Sequence, residues 1–481
     1  MSVEMQDIQL IFMMPEILVA VMAMALLLLS AWTHKGGSGV VHWMTAMTII
    51  AVILVIRVGE GSGSTFGGQF VTDAVSRYMK VLICLGMVLP IIMSRDYIRT
   101  HDMDGGEYHV VAMFAMLGGM IMASSGGFVI LYLGLELMSL SFYVLAAWRR
   151  DSGLSGEAGL KYFVLGSVAS GLLLYGISMI YGAVGATGFK EVAAFLATPD
   201  GHGSQLAALG VVLILVGMGF KVAAAPFHMW APDVYQGAPT PVTAFMSVMP
   251  KIAAFAALFR ILFDVFAPVH AQWGPMVQLL AILSMGVGAF AGLVQTNLKR
   301  LLAYSSIGHV GYILIGLVAN TPEGMQGVMV YLTIYLFMTV GVFGIMVAFD
   351  RQGLGEEISD YQGAAHKQPL MAFVMAMFMF SMAGIPPLAG FVGKLSIFMA
   401  AVKAGMVPLA VAGVLFSAVS AFYYLKVVKV MYFDPPVGES KMFFSGGGLL
   451  VVTLSFILIC VWGVLPGDLM AWTESSVKAW H

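Results

Sequence analysis

A chain of 481 residues that is 60% hydrophobic and only 10% charged is not a soluble globular domain, which carries about 25% charged residues. Its formal net charge of −2 leaves no basic footprint for a nucleic acid. The cysteines Cys84 and Cys460 fall in different predicted spans, with no CxxC and no Cys/His cluster, which argues against a zinc, iron–sulfur or haem site held by thiolates.

The apolar runs exceed the about 20 residues that a helix needs to cross hydrocarbon, and they lack the period-2 alternation of a membrane barrel. The expected fold class is therefore all-α integral membrane, with about 14 transmembrane helices. The N-terminal MSVEMQDIQ is acidic and lacks the basic start of a signal peptide, so the first apolar run reads as a retained span. The first three spans lie near Ile11 to Trp32, Val40 to Ile56 and Val75 to Met93, and the glycine/serine-rich GEGSGSTFGGQF between the second and third reads as a solvated loop. SSGG alone separates the fourth and fifth, near Val110 to Ala123 and Phe128 to Trp148. Tyr162 to Tyr181 is the sixth.

The seventh and eighth spans lie in LAALGVVLILVGMGFKVAAAPFHMWAPDVYQGAPTPVTAFMSVMPKIAAFAALFRILF, Leu206 to Phe263, where Pro226, Pro232, Pro239 and Pro241 exclude one continuous helix. Six further spans follow near Met276 to Val294, Leu301 to Val318, Val328 to Phe349, Pro369 to Ala401, Leu409 to Met431 and Leu449 to Val464. The segment SMAGIPPLAGFVGKLSIF, Ser381 to Phe398, is a second interrupted span bearing a lysine, five spans after the first. Matched broken helices mark inverted repeats, and an odd repeat length reverses direction in the membrane. The chain then reads as one polytopic domain made of a three-helix segment (1–107), a first repeat (108–265), a second repeat (270–432) and a C-terminal helix (445–481).

Loops after odd-numbered spans carry Lys35, Arg95, Arg99, Arg149, Arg150, Lys161, Lys299, Arg300, Arg351, Lys367 and Lys441. The positive-inside rule then places both termini outside. Arg77, Lys80, Lys190 and Lys403 run against this trend.

Four ionisable residues fall near the middle of predicted spans: Glu136, Lys221, Lys251 and Lys394. At about 15 Å from a span end they are beyond the reach of a snorkelling side chain. An intramembrane charge points by default to a functional site, here a proton relay. A carboxylate close to a buried lysine holds the proton on it, whereas burial alone favours its loss. Opening or closing a contact between Glu136 and Lys221 at about 4 Å is worth about 4 kcal/mol, enough to load and unload a proton. Lys251 and Lys394 sit beside helix breaks where water can reach them.

His228, in the first break, is a candidate relay, with capping of freed backbone groups as the plain alternative. In LLAYSSIGHVGYILIG, His309 with Tyr304, Ser305, Ser306 and Tyr312 could hold a water chain between Lys251 and Lys394, or simply bond helix to helix. Arg260 and Asp264, one turn apart near a span end, read as an interfacial pair. Glu16 and Lys426 read as intramembrane charges without an assigned role. No GxGxxG follows a strand and no GxxxxGK[ST] occurs, so energy from a nucleotide or redox centre must enter through another subunit.

The runs LELMSLSFYVLAAW, KYFVLGSVASGLLLYGISMIYG, FKVAAAPFHMWAPDVYQGAPTPVTAFMSVMPKIAAF, LKRLLAYSSIGHVGYILIG and AGIPPLAGFVGKLSIF together resemble the antiporter-like membrane subunits of the proton-pumping NADH:quinone oxidoreductase, respiratory complex I, closest to the subunit N group. The resemblance implies a fourteen-helix protein with two inverted five-helix repeats and broken seventh and twelfth helices. It implies relay roles for Glu136 in the fifth helix, Lys221 in the seventh, Lys251 in the eighth and Lys394 in the twelfth. No cofactor is then expected in this chain, with NAD, FMN, iron–sulfur clusters and quinone held by partner subunits, and no metal. The expected partners are the other membrane subunits of that complex, the lipid bilayer, protons and water, in a bacterial inner membrane rather than a mitochondrial one. A subunit of a multi-subunit Na⁺/H⁺ antiporter and a structural membrane scaffold are the alternatives.

Overall fold

The computed structural model describes residues 9–33, 38–59, 61–103, 105–350, 355–436 and 444–480. Lys35, Arg351 and Lys441 of the loop-charge pattern lie outside the described residues. Thirteen described helices are long and apolar enough to cross a membrane. Spans one to eight are Met14–Thr33, Ser38–Val58, Ala74–Thr100, Gly106–Ala123, Phe128–Ala146, Gly153–Val184, Gln205–Val222 with its continuation Ala231–Gly237, and Thr240–Phe259. His270–Leu293, Leu298–Val318 and Pro322–Asp350 are the ninth to eleventh. The twelfth is made of two short pieces, Pro369–Ala383 and Ala389–Lys403, followed by Val407–Phe433 and Gly446–Val464. A last helix, Gly467–Lys478, packs back on the bundle with Leu469, Thr473, Ser476 and Val477 buried. The fourteen spans and the two breaks are those that the sequence predicts.

Span six starts at Gly153, well before the apolar run at Tyr162, because the Ser152 hydroxyl caps it by accepting from Ser155 N. The loop after span two is not simply solvated. Gly63–Thr65 and Phe70–Thr72 pair as an antiparallel hairpin, and Thr65 and Phe70, the pair next to its turn, are buried. Gly67 and Gly68, at φ 62° and 84°, make the tight turn. Val71 N donates to Ser124 O and Gly126 N to Gln69 O, each at 2.8 Å, so the hairpin is pinned to the linker between spans four and five. A Cβ on Gly126 would strike Gly68 O, which is why that linker is SSGG.

The repeat is visible in the backbone. Phe128 N donates to Thr187 O and Phe189 N to Gly126 O, each at 2.9 Å, tying the linker after span four to the linker after span six. Leu298 N donates to Glu356 O at 2.7 Å and Ile358 N to Thr296 O at 2.9 Å, tying the linker after span nine to the linker after span eleven. The two ties occupy the same place in successive five-span units. An odd number of crossings separates them, so they lie at opposite membrane faces.

Spans eight, ten and eleven are enclosed by other helices on nearly all sides, whereas spans one, thirteen and fourteen leave most of their surface open. Without water in the hydrocarbon, polar groups survive only where protein satisfies them. The enclosed spans carry Lys251, Ser305, Ser306, His309, Tyr331 and Tyr335, and spans five, seven, twelve and thirteen add further internal polar side chains.

Candidate functional site

Each break is closed by side chains that take up the freed backbone groups. The first half of span seven ends at Val222 with Ala223 in a left-handed conformation, and the Ala225–Pro226 peptide is cis. Ser284 Oγ accepts from Ala225 N at 2.8 Å, and Trp230 Nε1 donates to Phe220 O at 3.1 Å. In span twelve the turn is made by Gly384 at φ 86°, and Pro386–Pro387 is cis. Gly390 N donates to Ser381 Oγ at 3.1 Å.

The two broken spans hold their lysines at the same electrostatic place. Lys221 lies in the last turn of its half-helix. Lys394 starts in the second half of span twelve and reaches back to the end of the first, donating to Met382 O at 3.1 Å and Ala383 O at 2.9 Å. The C-terminal end of a helix presents unpaired carbonyls and negative potential, which favours a cation there. No carboxylate lies within ion-pairing distance of Lys221, Lys251 or Lys394 among the described residues.

Hydroxyls stand where carboxylates would. Lys221 Nζ donates to Ser139 Oγ at 2.9 Å and to Tyr143 OH at 3.4 Å. Glu136 is therefore not in direct contact with Lys221. It sits one turn before Ser139 on span five, with a buried Oε1 that has no hydrogen-bond partner. Lys251 Nζ donates to Tyr235 OH at 2.6 Å, and Pro250 beside it removes a helical N–H and loosens span eight there. Lys394 Nζ also donates to Ser417 Oγ at 2.7 Å and lies 5.0 Å from the centre of the Tyr312 ring.

Between Lys251 and Lys394 runs a buried set of polar groups. Tyr335 OH donates to Ser306 Oγ at 2.9 Å and to Ser247 O at 3.3 Å. His309 shares hydrogen bonds with Tyr331 OH at 2.7 Å and Tyr424 OH at 3.1 Å, and Tyr424 OH meets Ser305 Oγ at 2.5 Å. His309, Ser305 and Ser306 thus join one cluster with three tyrosines from spans eleven and thirteen that sequence reasoning had not included. Tyrosine in a span is common as an interfacial anchor, and only its burial separates Tyr331, Tyr335 and Tyr424 from that use. Tyr304 is half-buried and packs against apolar neighbours. His228 is half-buried in the first break: its carbonyl accepts from Ala231 N at 2.9 Å, and its Nδ1 is buried without a partner.

A second set of groups was absent from the sequence reading. At one membrane face a cavity of ≈ 690 Å³ is lined by His101, Trp148, Arg149, Arg150 and Asp151 among others. His101 Nε2 lies 3.3 Å from Asp350 Oδ1, and Thr240 Oγ1 donates to Asp350 Oδ2 at 3.0 Å. Thr240, Thr243, Ser247 and Lys251 all fall on one stripe of span eight at helical spacing. The stripe leads from this mouth to Lys251, about 16 Å along the axis.

Charges used as topology markers are paired here. Asp233 holds both Lys161 and Arg300 at 2.6 Å, and the buried Lys299 pairs with Glu356 at 2.6 Å. Arg260 donates to Asp73 Oδ2 at 2.7 Å rather than serving only its own helix, re-aimed by the π-helical turn Arg260–Val265. Glu16 and Lys80, at 2.7 Å, form a buried ion pair between spans one and three. No group of three or more His, Cys, Asp or Glu that could hold a metal ion occurs among the described residues.

The family described as NADH:quinone oxidoreductase/Mrp antiporter, TM, matches residues 123–420. The NADH-quinone oxidoreductase subunit N of Magnetococcus marinus is 55% identical over 483 residues, covering 100% of both chains. A chain of respiratory complex I from Thermus thermophilus is 35% identical with a TM-score of 0.81, over 95% of this chain and 99% of that one. A chain of the Mrp complex from Dietzia sp. DQ12-45-1b shares the fold at a TM-score of 0.84 and 20% identity, over 96% of each chain. This chain belongs to the transmembrane family that the NADH:quinone oxidoreductases share with the Mrp antiporters, among its subunit N members.

Proposed function

We propose that this chain is a proton-translocating membrane subunit of a NADH:quinone oxidoreductase in a bacterial inner membrane, with both termini at the outer face. Partner subunits hold NAD, FMN, the iron–sulfur clusters and quinone, and this chain contributes the proton path. The observation that supports the reading best is the enclosed polar row at mid-depth, in which lysines from two broken helices and span eight are met by hydroxyls and His309 is held between tyrosine hydroxyls. A lysine paired with a carboxylate keeps its proton, whereas one held by neutral oxygens can give it up and take it back.

In this reading protons arrive through the cavity beside His101 and Asp350 and follow the hydroxyl stripe of span eight to Lys251. Tyr335, Ser306 and His309 pass them across to Lys394. Glu136 acts on Lys221 through space, and a change in its charge sets whether Lys221 holds its proton. His228 supplies a relay group at the first break, and Ser305 with Tyr304 flanks the row on span ten. The likeness to an Mrp chain is one of fold, and no observation here selects sodium over the proton.

The test is the complex reconstituted in proteoliposomes, with acidification of the lumen followed against NADH oxidation. Lys251→Met is expected to leave an assembled complex with a lowered proton yield per NADH. A full yield would overturn the reading.

A further inference from the structure

Arg57, Arg77 and Lys80 lie at the membrane face that holds both ends of the described chain, where loop cations are few. Arg57 ends span two, and Arg77 and Lys80 are in the first turns of span three. Lys80 is neutralised by Glu16. Neither arginine has a carboxylate partner among the described residues: Arg77 donates to Gly61 O, and Arg57 lies over the Trp472 ring with its guanidinium carbon 5.0 Å from the centre.

Two cavities meet between these arginines, both lined by Ile56 and Arg77. One, of ≈ 180 Å³, is polar and is lined by Arg57, Arg77, Trp472, Ser475 and Ser476 among others. The other, of ≈ 470 Å³, is an apolar groove between spans one, two and three, lined by Phe12, Met14, Pro15, Leu54 and Val58 among others. Its rim faces outward into the bilayer, with Ile11 74%, Leu54 59% and Val58 77% exposed.

We propose that this pair of cavities is a binding site for one acidic phospholipid, its phosphodiester between Arg57 and Arg77 and an acyl chain in the groove. Guanidinium forks match phosphate oxygens in a bidentate way, whereas the Ser475 and Ser476 hydroxyls already donate to Trp472 O, which leaves the phosphate to the arginines. Two cations without a carboxylate partner among the described residues repel a headgroup amine, so the site selects an anionic headgroup over a zwitterionic one. Trp472 stands at the depth where amphipathic rings mark the interface. The site accounts for Arg77, which runs against the positive-inside pattern: its charge answers a lipid phosphate and not the topology rule. A bound lipid would join span two, span three and the last helix, none of which contributes to the lysine row.

The experiment uses the assembled complex, stripped of native lipid in detergent, with phosphatidylglycerol carrying a photoreactive acyl chain and the crosslinked peptides mapped by mass spectrometry. Crosslinks are expected on Phe12 to Pro15 and Leu54 to Gly59. Unlabelled phosphatidylglycerol should compete, while equal amounts of phosphatidylcholine or inorganic phosphate should not. Arg57→Gln and Arg77→Gln should each weaken binding about tenfold, the loss of one charge-assisted contact, and the Arg→Lys variants should retain most of it. Leu54→Trp fills the groove without touching the arginines and should abolish the crosslinks, which decides the matter should a glutamine variant not assemble. Unchanged labelling in the double glutamine variant, or in Leu54→Trp, overturns the proposal. So does equal competition by phosphatidylcholine, which means annular lipid, or by phosphate, which means a free-ion site.

Discussion

Lys221, Lys251 and Lys394 show how a buried cation can be held without being fixed. Each has a hydroxyl within hydrogen-bond distance, at 2.9, 2.6 and 2.7 Å respectively. Glu16 and Lys80 show the opposite arrangement, a closed pair of opposite charges. Removing one partner of such a pair leaves an uncompensated charge, whereas replacing both is well tolerated. Glu16→Gln is therefore expected to destabilise the subunit by about 3–5 kcal/mol, and Glu16→Leu with Lys80→Met to recover most of it, as read from thermal denaturation of the purified complex. In the row itself Tyr335→Phe removes one hydroxyl that donates to Ser306. Loss of one such bond, about 1 kcal/mol, should slow coupled proton uptake about fivefold while NADH oxidation in uncoupled membranes stays unchanged. Lys251→Met, which removes the titrating group, should cost more than about tenfold in the same assay. The sequence exposed the four charges because hydrocarbon makes any of them anomalous. It did not expose Ser139, the hydroxyl that meets Lys221, since a serine in a span is ordinary. Nor did it pair Arg260 with Asp73 or Lys80 with Glu16, whose partners are distant in the chain.

Among elements, the two breaks were legible because proline and glycine cannot be mistaken in an apolar run. How each break is sealed was not, since the groups that seal the first, Ser284 and Trp230, come from span nine and from beyond the break. Gly390 has a sharper requirement: a Cβ there would fall 1.7 Å from Ser381 O. Gly390→Ala should force apart the two halves of span twelve at a cost on the order of 1–3 kcal/mol. It should also disturb the geometry around Lys394, seen as lower yield of assembled complex and lower proton yield in what does assemble. The hairpin after span two was missed for a related reason. A stretch such as GEGSGSTFGGQF reads as loop by composition, and its burial follows only from a linker that arrives two spans later.

At the scale of the whole molecule, the enclosed spans eight, ten and eleven form a polar spine and the outer spans insulate it. The cavity at His101 is where this spine meets water. Asp350→Asn keeps the shape and removes the charge that faces His101 at 3.3 Å. It should reduce the rate of coupled turnover severalfold without affecting assembly, and an unchanged rate in proteoliposomes would place proton uptake elsewhere. Apolar length made the span count legible, and the two lysine-bearing interrupted spans five spans apart made the repeat legible. This mouth was not, because it is built from the ends of spans three, five, eight and eleven, whose convergence no local pattern encodes.

The two backbone ties have a consequence for biogenesis. Each joins linkers separated by two spans, Gly126 to Phe128 with Thr187 to Phe189, and Thr296 to Leu298 with Glu356 to Ile358. A nascent chain can close the first tie as soon as span six has left the insertion machinery, before any of the second unit has been made. The second tie closes on the other side of the bilayer, after span eleven. The two ties can therefore close one after the other, each from residues of its own five-span unit and each at its own face of the membrane.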